Sequence, residues 1–310
     1  MEVISGKVQK AKKVVLYGPE GIGKSSLAAQ FPRPIFIDTE GSTTEMDVER
    51  LLRPTSWEML RQQVEWVKQQ GNRYGSLVID TIDWAEMLCV SFVCSTHNKN
   101  GVEDFGYGKG YVYVADEIGR FLNFLSDVVD SGIHVILTAH AQIIKFEQPD
   151  EMGAYDRYQL KLGQKTGSRT APLVKEWADI VLFINYKTFS VATDKEGKKN
   201  KAQGGVRTIY ATHHPAWDAK NRQGLPDEFP LDYARIAHIF NATNTGPAVA
   251  SQPTVQSNPI TLPPAEQQQP EPTPLSQQQA NTSPASGHDL NPNIPRSLRD
   301  LMVRTSGVRN

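Results

Sequence analysis

One eight-residue segment constrains the fold more than any other part of the chain. Residues 18–25 match the pattern G-x-x-x-x-G-K-[ST], in which the backbone N–H groups of a glycine-rich loop surround phosphates. The apolar run 14–17 precedes this segment and the helical stretch 25–30 follows it. A glycine turn without function, the alternative interpretation, needs no such strand–loop–helix context. The sequence therefore predicts a phosphate-binding loop.

The loop pattern also assigns roles to single residues. Lys24 places a positive charge on the β- and γ-phosphates, and the Ser25 hydroxyl is a ligand for Mg²⁺. Asp80 ends the apolar run 77–80 and is the expected second Mg²⁺ ligand, ahead of Asp83, which is expected to start the next helix. ATP and Mg²⁺ are thus the predicted cofactors. The predicted nucleotide contacts are Gly18, Pro19, Glu20, Gly21, Ile22, Gly23, Lys24, Ser25 and Ser26.

Short apolar runs alternate with helical stretches over the first 190 residues. The runs that predict strands are 14–17, 34–38, 77–80, 134–138 and 180–184, and the stretches that predict helices are 25–30, 57–70 and 116–129. Strands without a polar face are typical of a parallel sheet that helices cover on both sides. Residues 189–193 and 206–212 predict an antiparallel hairpin after that sheet. The fold class is therefore α/β, mostly parallel, with an antiparallel C-terminal hairpin.

The position of a second acidic residue suggests a family. Thr81 follows Asp80, where many ATPases of this type carry a glutamate, whereas Glu40 follows the strand 34–38. This arrangement resembles the RecA-type recombinase ATPases, over residues 10–240. The resemblance implies a RecA-like core, with Glu40 as the catalytic glutamate and Gln142, after strand 134–138, as the sensor of the γ-phosphate. His140 is a second candidate for that sensor, and a histidine that faces the core is the alternative interpretation.

A basic stretch follows Gln142. No acid occurs from 157 to 175, and residues 143–171 show no clear helical or strand period. Cations that contact phosphates, with tyrosines beside them, favour single-stranded DNA binding over a solvated loop. The glycine-rich segment 105–111 matches the position of the family's first DNA loop. The predicted DNA contacts are Lys109, Arg157, Lys161, Lys165 and Arg169.

Lys220 and Arg222 resemble the family's basic pair that reaches the ATP of a neighbouring subunit. The resemblance thus implies a homo-oligomer with ATP at its interfaces and makes both residues catalytic candidates, while two exposed basic residues in a turn are the alternative. Only about a dozen residues precede the first strand, fewer than in filament-forming members. The resemblance therefore favours annealing over full strand exchange.

The composition changes after residue 243. Residues 241–310 hold 11 of the 20 prolines and no aromatic residue, so residues 244–310 are expected to form a disordered tail after an ATPase domain of residues 1–243. Residues 294–304 have one apolar face with flanking arginines, which favours a docking helix for a single-strand-binding protein or another replication partner over a plain disordered tail. No apolar run is long enough for a membrane span, so a cytoplasmic protein is expected.

Together these features predict an ATPase that binds single-stranded DNA and promotes annealing or recombination. The arrangement is similar to small phage nucleotide-binding proteins, which implies the cytoplasm of a bacterial host. A helicase loader or another AAA-type remodelling ATPase is one alternative, although a glutamate after Asp80 would be expected there. The sequence is also compatible with a small-molecule kinase, whose lid the basic stretch would form, and with a nucleotide-gated adaptor.

Overall fold

The computed structural model describes residues 3, 5–6, 8–147, 153–163, 169–192 and 200–241. The strands are β1 (Lys13–Gly18), β2 (Pro34–Asp38), β3 (Glu49–Arg50), β4 (Ser76–Asp80), β5 (His134–Phe146), β6 (Tyr155–Leu160), β7 (Ile180–Ala192), β8 (Asn200–Tyr210) and β9 (Glu228–Pro230). The helices are α1 (Lys24–Ala28), α2 (Trp57–Gln69), α3 (Ile82–Thr96), α4 (Lys109–Asp130), α5 (Thr170–Trp177) and α6 (Ala237–Asn241). The tail 244–310, with its candidate helix 294–304, lies outside the described residues.

The described strands form one sheet in the order β3-β2-β4-β5-β1-β7-β8-β9, and β6 pairs with β5 beside this path. The six strands from β3 to β7 along this order are parallel. Strands β8 and β9 extend the sheet in antiparallel pairing. The predicted α/β class, with a mostly parallel sheet and an antiparallel C-terminal hairpin, is confirmed.

Alternate residues of each central strand bury against different layers. Val15 and Tyr17 of β1 pack with the helices α2, α3 and α4 on one face. Val14 and Leu16 pack with α1 and α6 on the other. A strand buried on both faces needs apolar side chains at every position, which explains why the central strands are uninterrupted apolar runs.

The strand order decides which loops meet. Because β5 lies between β1 and β4, the carboxyl ends of these three parallel strands are adjacent at one edge of the sheet. The phosphate loop follows β1, and Asp80 ends β4. Thr138 of β5 lies beside Leu16 of β1. The predicted proximity of the loop to Asp80 therefore depends on the intervening strand.

The prediction that residues 143–171 lack regular structure is wrong for the described residues of that range. Strand β5 continues to Phe146 and pairs with β6 in a regular antiparallel register, and α5 begins at Thr170. Side chains of this extension alternate between half-buried and exposed, so the apolar run that marks the first half of β5 is lost. Among the described residues, no helix is both long and apolar enough to cross a membrane.

Candidate functional site

Glycines shape the loop between β1 and α1. Gly21 and Gly23 have φ of 71° and 107°, in the left-handed region that favours glycine. Gly18 packs against β7 so closely that a Cβ atom would lie 2.1 Å from the carbonyl oxygen of Ile184. These three positions therefore require glycine, Gly21 and Gly23 for their backbone conformation and Gly18 for its packing against β7.

Lys24 is the buried cation of this loop. The residue is only 5% exposed, and Nζ donates to the carbonyl oxygens of Gly18 at 3.2 Å and Pro19 at 2.9 Å. Burial lowers the pKa of the ammonium, and four carboxylates oppose that shift. They are Asp80, Asp83, Glu40 and Glu20. The ammonium therefore lies where acidic side chains of several elements converge.

Asp80 has the environment of a metal ligand. The residue is fully buried, Oδ1 accepts a hydrogen bond from the Thr138 hydroxyl, and Oδ2 has no hydrogen-bond partner within the described chain. Burial raises the pKa of this carboxyl, and the hydroxyls of Thr138 and Ser25 oppose the shift. A buried carboxylate oxygen without a partner is costly unless a ligand satisfies it. Because Mg²⁺ takes oxygen ligands, Ser25 and Asp80 fit this ion.

Protein side chains alone do not form a metal cage here. The described residues contain no group of three or more His, Cys, Asp or Glu placed to hold an ion. Mg²⁺ is typically held by one or two protein ligands together with substrate phosphates and water. The Ser25–Asp80 pair beside a phosphate loop matches that pattern.

Asp38 builds the turn that carries Glu40. Its Oδ1 accepts hydrogen bonds from the backbone N–H of Gly41 at 2.6 Å and of Ser42 at 3.2 Å. Its Oδ2 accepts from the backbone N–H and the hydroxyl of Thr43, at 2.9 and 2.7 Å. One buried carboxylate thus fixes the chain on the far side of Glu40.

The near side of the same turn is attached to β4. The backbone N–H groups of Thr39 and Glu40 donate to the carbonyl oxygen of Asp80, at 2.9 and 3.4 Å. The backbone of Glu40 is consequently tied to the residue that is expected to bind Mg²⁺. Sequence spacing alone gives no such contact, because it arises from the parallel pairing of β2 with β4, in which Asp38 lies beside Asp80.

His140 connects Glu40 to helix α3. Its Nε2 lies 3.9 Å from a carboxylate oxygen of Glu40, and its Nδ1 lies 2.8 Å from Oδ2 of Asp83. The backbone N–H of His140 donates to Oδ1 of Asp83 at 3.1 Å. The side chains of Asp83, His140 and Glu40 are 8%, 13% and 22% exposed. They form an acid–imidazole–acid chain that runs from α3 to Glu40.

The charges of Asp83, His140 and Glu40 depend on one another. Hydrogen bonding to Asp83 raises the pKa of His140, and the Asp83 and Glu40 carboxylates add to that shift. Burial opposes ionisation of Asp83, but the hydrogen bonds and charge of His140 outweigh it and hold the pKa of Asp83 below its usual value. Burial raises the pKa of Glu40. The arrangement favours an imidazolium between two carboxylates.

These residues line one cavity of about 350 Å³ at the carboxyl edge of the sheet. Its lining comprises Glu20, Gly21, Gly23, Lys24, Ser25, Ser26, Glu40, Ser42, Met46, Asp80, Thr81 and His140. The structure thereby brings together the predicted phosphate loop, both predicted Mg²⁺ ligands and Glu40. Chemically, the cavity offers a buried ammonium for phosphates, oxygen ligands for a cation and a carboxylate to orient water.

Gln142 lies farther along β5 and is not among the residues that line this cavity. Its side-chain amide donates to the carbonyl oxygen of Leu160 at 3.3 Å, across the β5–β6 pair. His140 is the residue at this end of β5 that reaches Glu40. The sensor role expected for Gln142 stays a prediction, and His140 is the sequence candidate that contacts the site.

Lys220 and Arg222 lie away from the phosphate loop of their own chain. The backbone of Lys220 pairs with Val181, near the amino end of β7, in an isolated antiparallel β-bridge. Its Nζ donates to the carbonyl oxygens of Glu176 and Ala178. Arg222 is exposed. A role at the nucleotide of their own chain does not fit this position, and a role at the nucleotide of another copy stays a prediction.

The predicted DNA contacts fall into three groups. Lys109, at the start of α4, and Lys161 and Arg169 are exposed. Arg157 is only 7% exposed, because it forms an ion pair with Asp218 and packs over the Phe146 ring, so the prediction that it contacts DNA is wrong. Lys165 lies outside the described residues.

The sequence prediction gives no role to Asp38 and only a weak one to Asp83. Asp38 is an acid at the end of an apolar strand and is followed by Gly41, Ser42 and Thr43, a run of small residues whose N–H groups can turn toward it. That run is a usable signal in the sequence. Asp83 lies in the first turn of α3, yet its partner His140 is 57 residues away, and only the β4–β5 pairing brings the two together.

Three comparisons with known proteins bear on this site. A family model described as an AAA domain matches residues 10–223. No curated protein matches the chain. Among solved structures, a KaiC-like protein from the archaeon Pyrococcus horikoshii is similar at 14% identity and a TM-score of 0.34, over 65% of this chain and 78% of that one.

Proposed function

We propose that this chain, which belongs to the AAA domain family, is a magnesium-dependent ATPase whose turnover is stimulated by single-stranded DNA. The observation that carries the proposal is the placement of Glu40 in the cavity that also holds Lys24 and Asp80. From that cavity, β5 leads through its pairing with β6 to the exposed cation Lys161. The biological role that we propose for this activity is annealing or recombination.

The hydrolytic part of the proposal assigns each side chain one task. Lys24 binds the β- and γ-phosphates, and Ser25 and Asp80 hold Mg²⁺, which neutralises phosphate charge when it is bound. Glu40 orients the attacking water, and its raised pKa suits a group that accepts a proton. Asp83 holds His140 against Glu40, so the imidazolium stabilises the carboxylate in its ionised form.

The DNA part of the proposal is supported by how the basic stretch is attached. The carbonyl oxygen of His140 accepts a hydrogen bond from the backbone N–H of Lys161 at 2.8 Å. The side chain of His140 faces Glu40, while Lys161 and Arg169 are exposed cations of the kind that neutralise phosphates. A ligand that moves this stretch therefore acts on the residue that contacts Glu40.

We extend the proposal to a homo-oligomer in which Lys220 and Arg222 reach the nucleotide of a neighbouring copy. Their position away from their own phosphate loop is compatible with such a role. A cation inserted next to the transferring phosphoryl group would stabilise its charge. Turnover that rises more steeply than protein concentration, and that falls in Arg222→Ala, supports this extension.

The family match favours a second candidate, an AAA-type remodelling ATPase that acts on a protein partner. Two features weigh against this candidate. Thr81 follows Asp80 where such enzymes carry a glutamate. In the described chain, β7 is followed by β8 and β9 and not by a helical lid with a sensor arginine.

The discriminating experiment measures ATP turnover with and without single-stranded DNA. Turnover that DNA raises in the wild-type chain, and that is lost in Lys24→Ala, supports the proposal. Lys99→Ala, which removes an exposed cation just beyond the end of α3, is the matched control and should behave as wild type. Turnover that is indifferent to DNA contradicts the DNA part and leaves the remodelling candidate.

A further inference from the structure

We infer that Glu86 positions the two exposed cations Lys161 and Arg169 and couples them to the phosphate site. This inference rests on the proposed function, because it names the residue through which DNA would act on turnover. Glu86 lies in α3, one turn after Asp83, and does not line the phosphate cavity. Its role is therefore that of a positioning residue.

One carboxylate holds the chain at two distant positions. Oε2 of Glu86 accepts a hydrogen bond from the backbone N–H of Gly163 at 3.0 Å, and Oε1 accepts one from the hydroxyl of Thr170. Gly163 lies two residues after Lys161, and Thr170 directly follows Arg169. The same side chain thus fixes the backbone beside both cations.

Glu86 is half-buried, and both of its carboxylate oxygens accept hydrogen bonds. Burial raises the pKa of its carboxyl, while the hydrogen bonds from Thr170 and Gly163 oppose that shift. The side chain also faces a cavity of about 490 Å³, whose lining includes Trp84, Tyr111 and Lys161. These two hydrogen bonds compensate the half-buried carboxylate for the water that it loses on burial, so the attachment is favoured.

Two connections lead from this anchor to Glu40. The first runs along α3, since Asp83, one turn earlier in the helix, holds the His140 imidazole that contacts Glu40. The second runs through the backbone, since the carbonyl oxygen of His140 accepts the N–H of Lys161. A displacement of His140 by the γ-phosphate would therefore reach Lys161 directly and the backbone at Gly163 and Thr170 through α3 and Glu86.

The test compares Glu86→Ala with Glu86→Gln and uses Glu58→Ala, an exposed position on α2, as control. The glutamine retains an oxygen for the Gly163 N–H and offers an amide donor to the Thr170 hydroxyl, whereas alanine retains neither. We expect basal turnover within about twofold of wild type in all three variants, since Glu86 is outside the phosphate cavity. In Glu86→Ala, half-maximal stimulation should need about tenfold more DNA, and Glu86→Gln should restore most of the response.

A second readout does not depend on DNA. Hydrogen exchange is followed in peptides that contain Gly163 or Thr170, with and without a non-hydrolysable ATP analogue. In wild type the analogue should change exchange in both peptides, and in Glu86→Ala this change should be lost. If DNA has no effect on wild type but this loss is observed, the proposed DNA function fails while the coupling remains.

Three outcomes overturn the inference. In the first, Glu86→Ala matches wild type in both readouts. In the second, basal turnover falls together with the DNA response, which makes Glu86 a general support of the site. In the third, the analogue leaves exchange at both positions of the wild-type chain unchanged.

Discussion

Replacing Asp38 with asparagine tests whether one buried carboxylate holds the turn that carries Glu40. Asp38 is 4% exposed, and its two oxygens accept four hydrogen bonds from Gly41, Ser42 and Thr43. Asparagine keeps the shape but exchanges one oxygen for an NH₂ group. At the Oδ2 position this group faces a hydroxyl that can rotate to accept, so only the backbone N–H of Thr43 loses its acceptor. At the Oδ1 position two N–H groups lose theirs.

The first orientation is therefore preferred, and its cost has two parts. A buried donor without an acceptor costs about 1–3 kcal/mol, and the change from charged to neutral acceptor weakens the remaining bonds by about 1 kcal/mol. We expect Asp38→Asn to lower the free energy of unfolding by about 2–4 kcal/mol. Turnover should fall as well, because Glu40 lies within this turn.

The pH dependence of this difference has a definite sign. Burial opposes ionisation of Asp38, but the hydrogen bonds from Thr43, Gly41 and Ser42 hold its pKa below the ordinary value of 3.8. A depressed pKa contributes stability that is complete above the unfolded value and is lost as pH falls through the folded value. The difference between wild type and Asp38→Asn should thus be constant between about pH 5 and pH 7.

Urea denaturation of both chains measures this difference, and Asp47→Asn is the matched control because Asp47 is an exposed acid of the same loop. The control should stay within about 0.5 kcal/mol of wild type. An Asp38→Asn variant that is as stable as the control would show that the carboxylate does not hold the turn. Unchanged turnover in a destabilised variant would show that the turn does not set the position of Glu40.

Glu40→Gln should keep nucleotide affinity, measured by titration, and lose about 10²–10⁴-fold in turnover, and unaltered turnover would require another base. Turnover should fall as pH drops through the raised pKa of Glu40, since the protonated acid cannot accept a proton. It should also fall as pH rises through the raised pKa of His140, and His140→Gln should remove that alkaline limb from the pH profile. Lys161→Ala and Arg169→Ala should each reduce the salt dependence of DNA binding by about one counterion, and an unchanged slope in a fluorescence anisotropy titration would exclude the residue from the contact.

The sequence predicts the central sheet and the phosphate loop well because both are locally encoded. Strands β1, β2 and β4 are buried at nearly every position, and this burial is written as uninterrupted apolar runs. The glycines at 21 and 23 adopt the left-handed conformation that the loop motif implies. In such segments the local chemistry and the tertiary environment require the same residues.

Other parts of the site depend on pairings between distant segments. Arg157 resembles a solvent-facing cation in the sequence, and only the packing of β6 against Asp218 and Phe146 shows that it is internal. The sequence predicts where helix α3 begins but not its length, since apolar residues occur around most of its circumference and give a weak helical period. The contacts of Glu86 join positions 77 and 84 residues apart, a separation at which a single sequence carries no pairing signal.

Strand β5 connects the cavity around Lys24 and Glu40 to Lys161, the first exposed cation after β6. Its first half lies between β1 and β4, so Thr138 reaches Asp80 and His140 reaches Glu40. Its second half leaves the central sheet and pairs with β6, which leads directly to Lys161. A strand in an extended, hydrogen-bonded conformation cannot shift at one end without a response in its partners. His140, which contacts Glu40, and Lys161 are therefore joined through the hydrogen-bonded pair of β5 and β6, and Glu86 holds the backbone at Gly163 and Thr170 from α3.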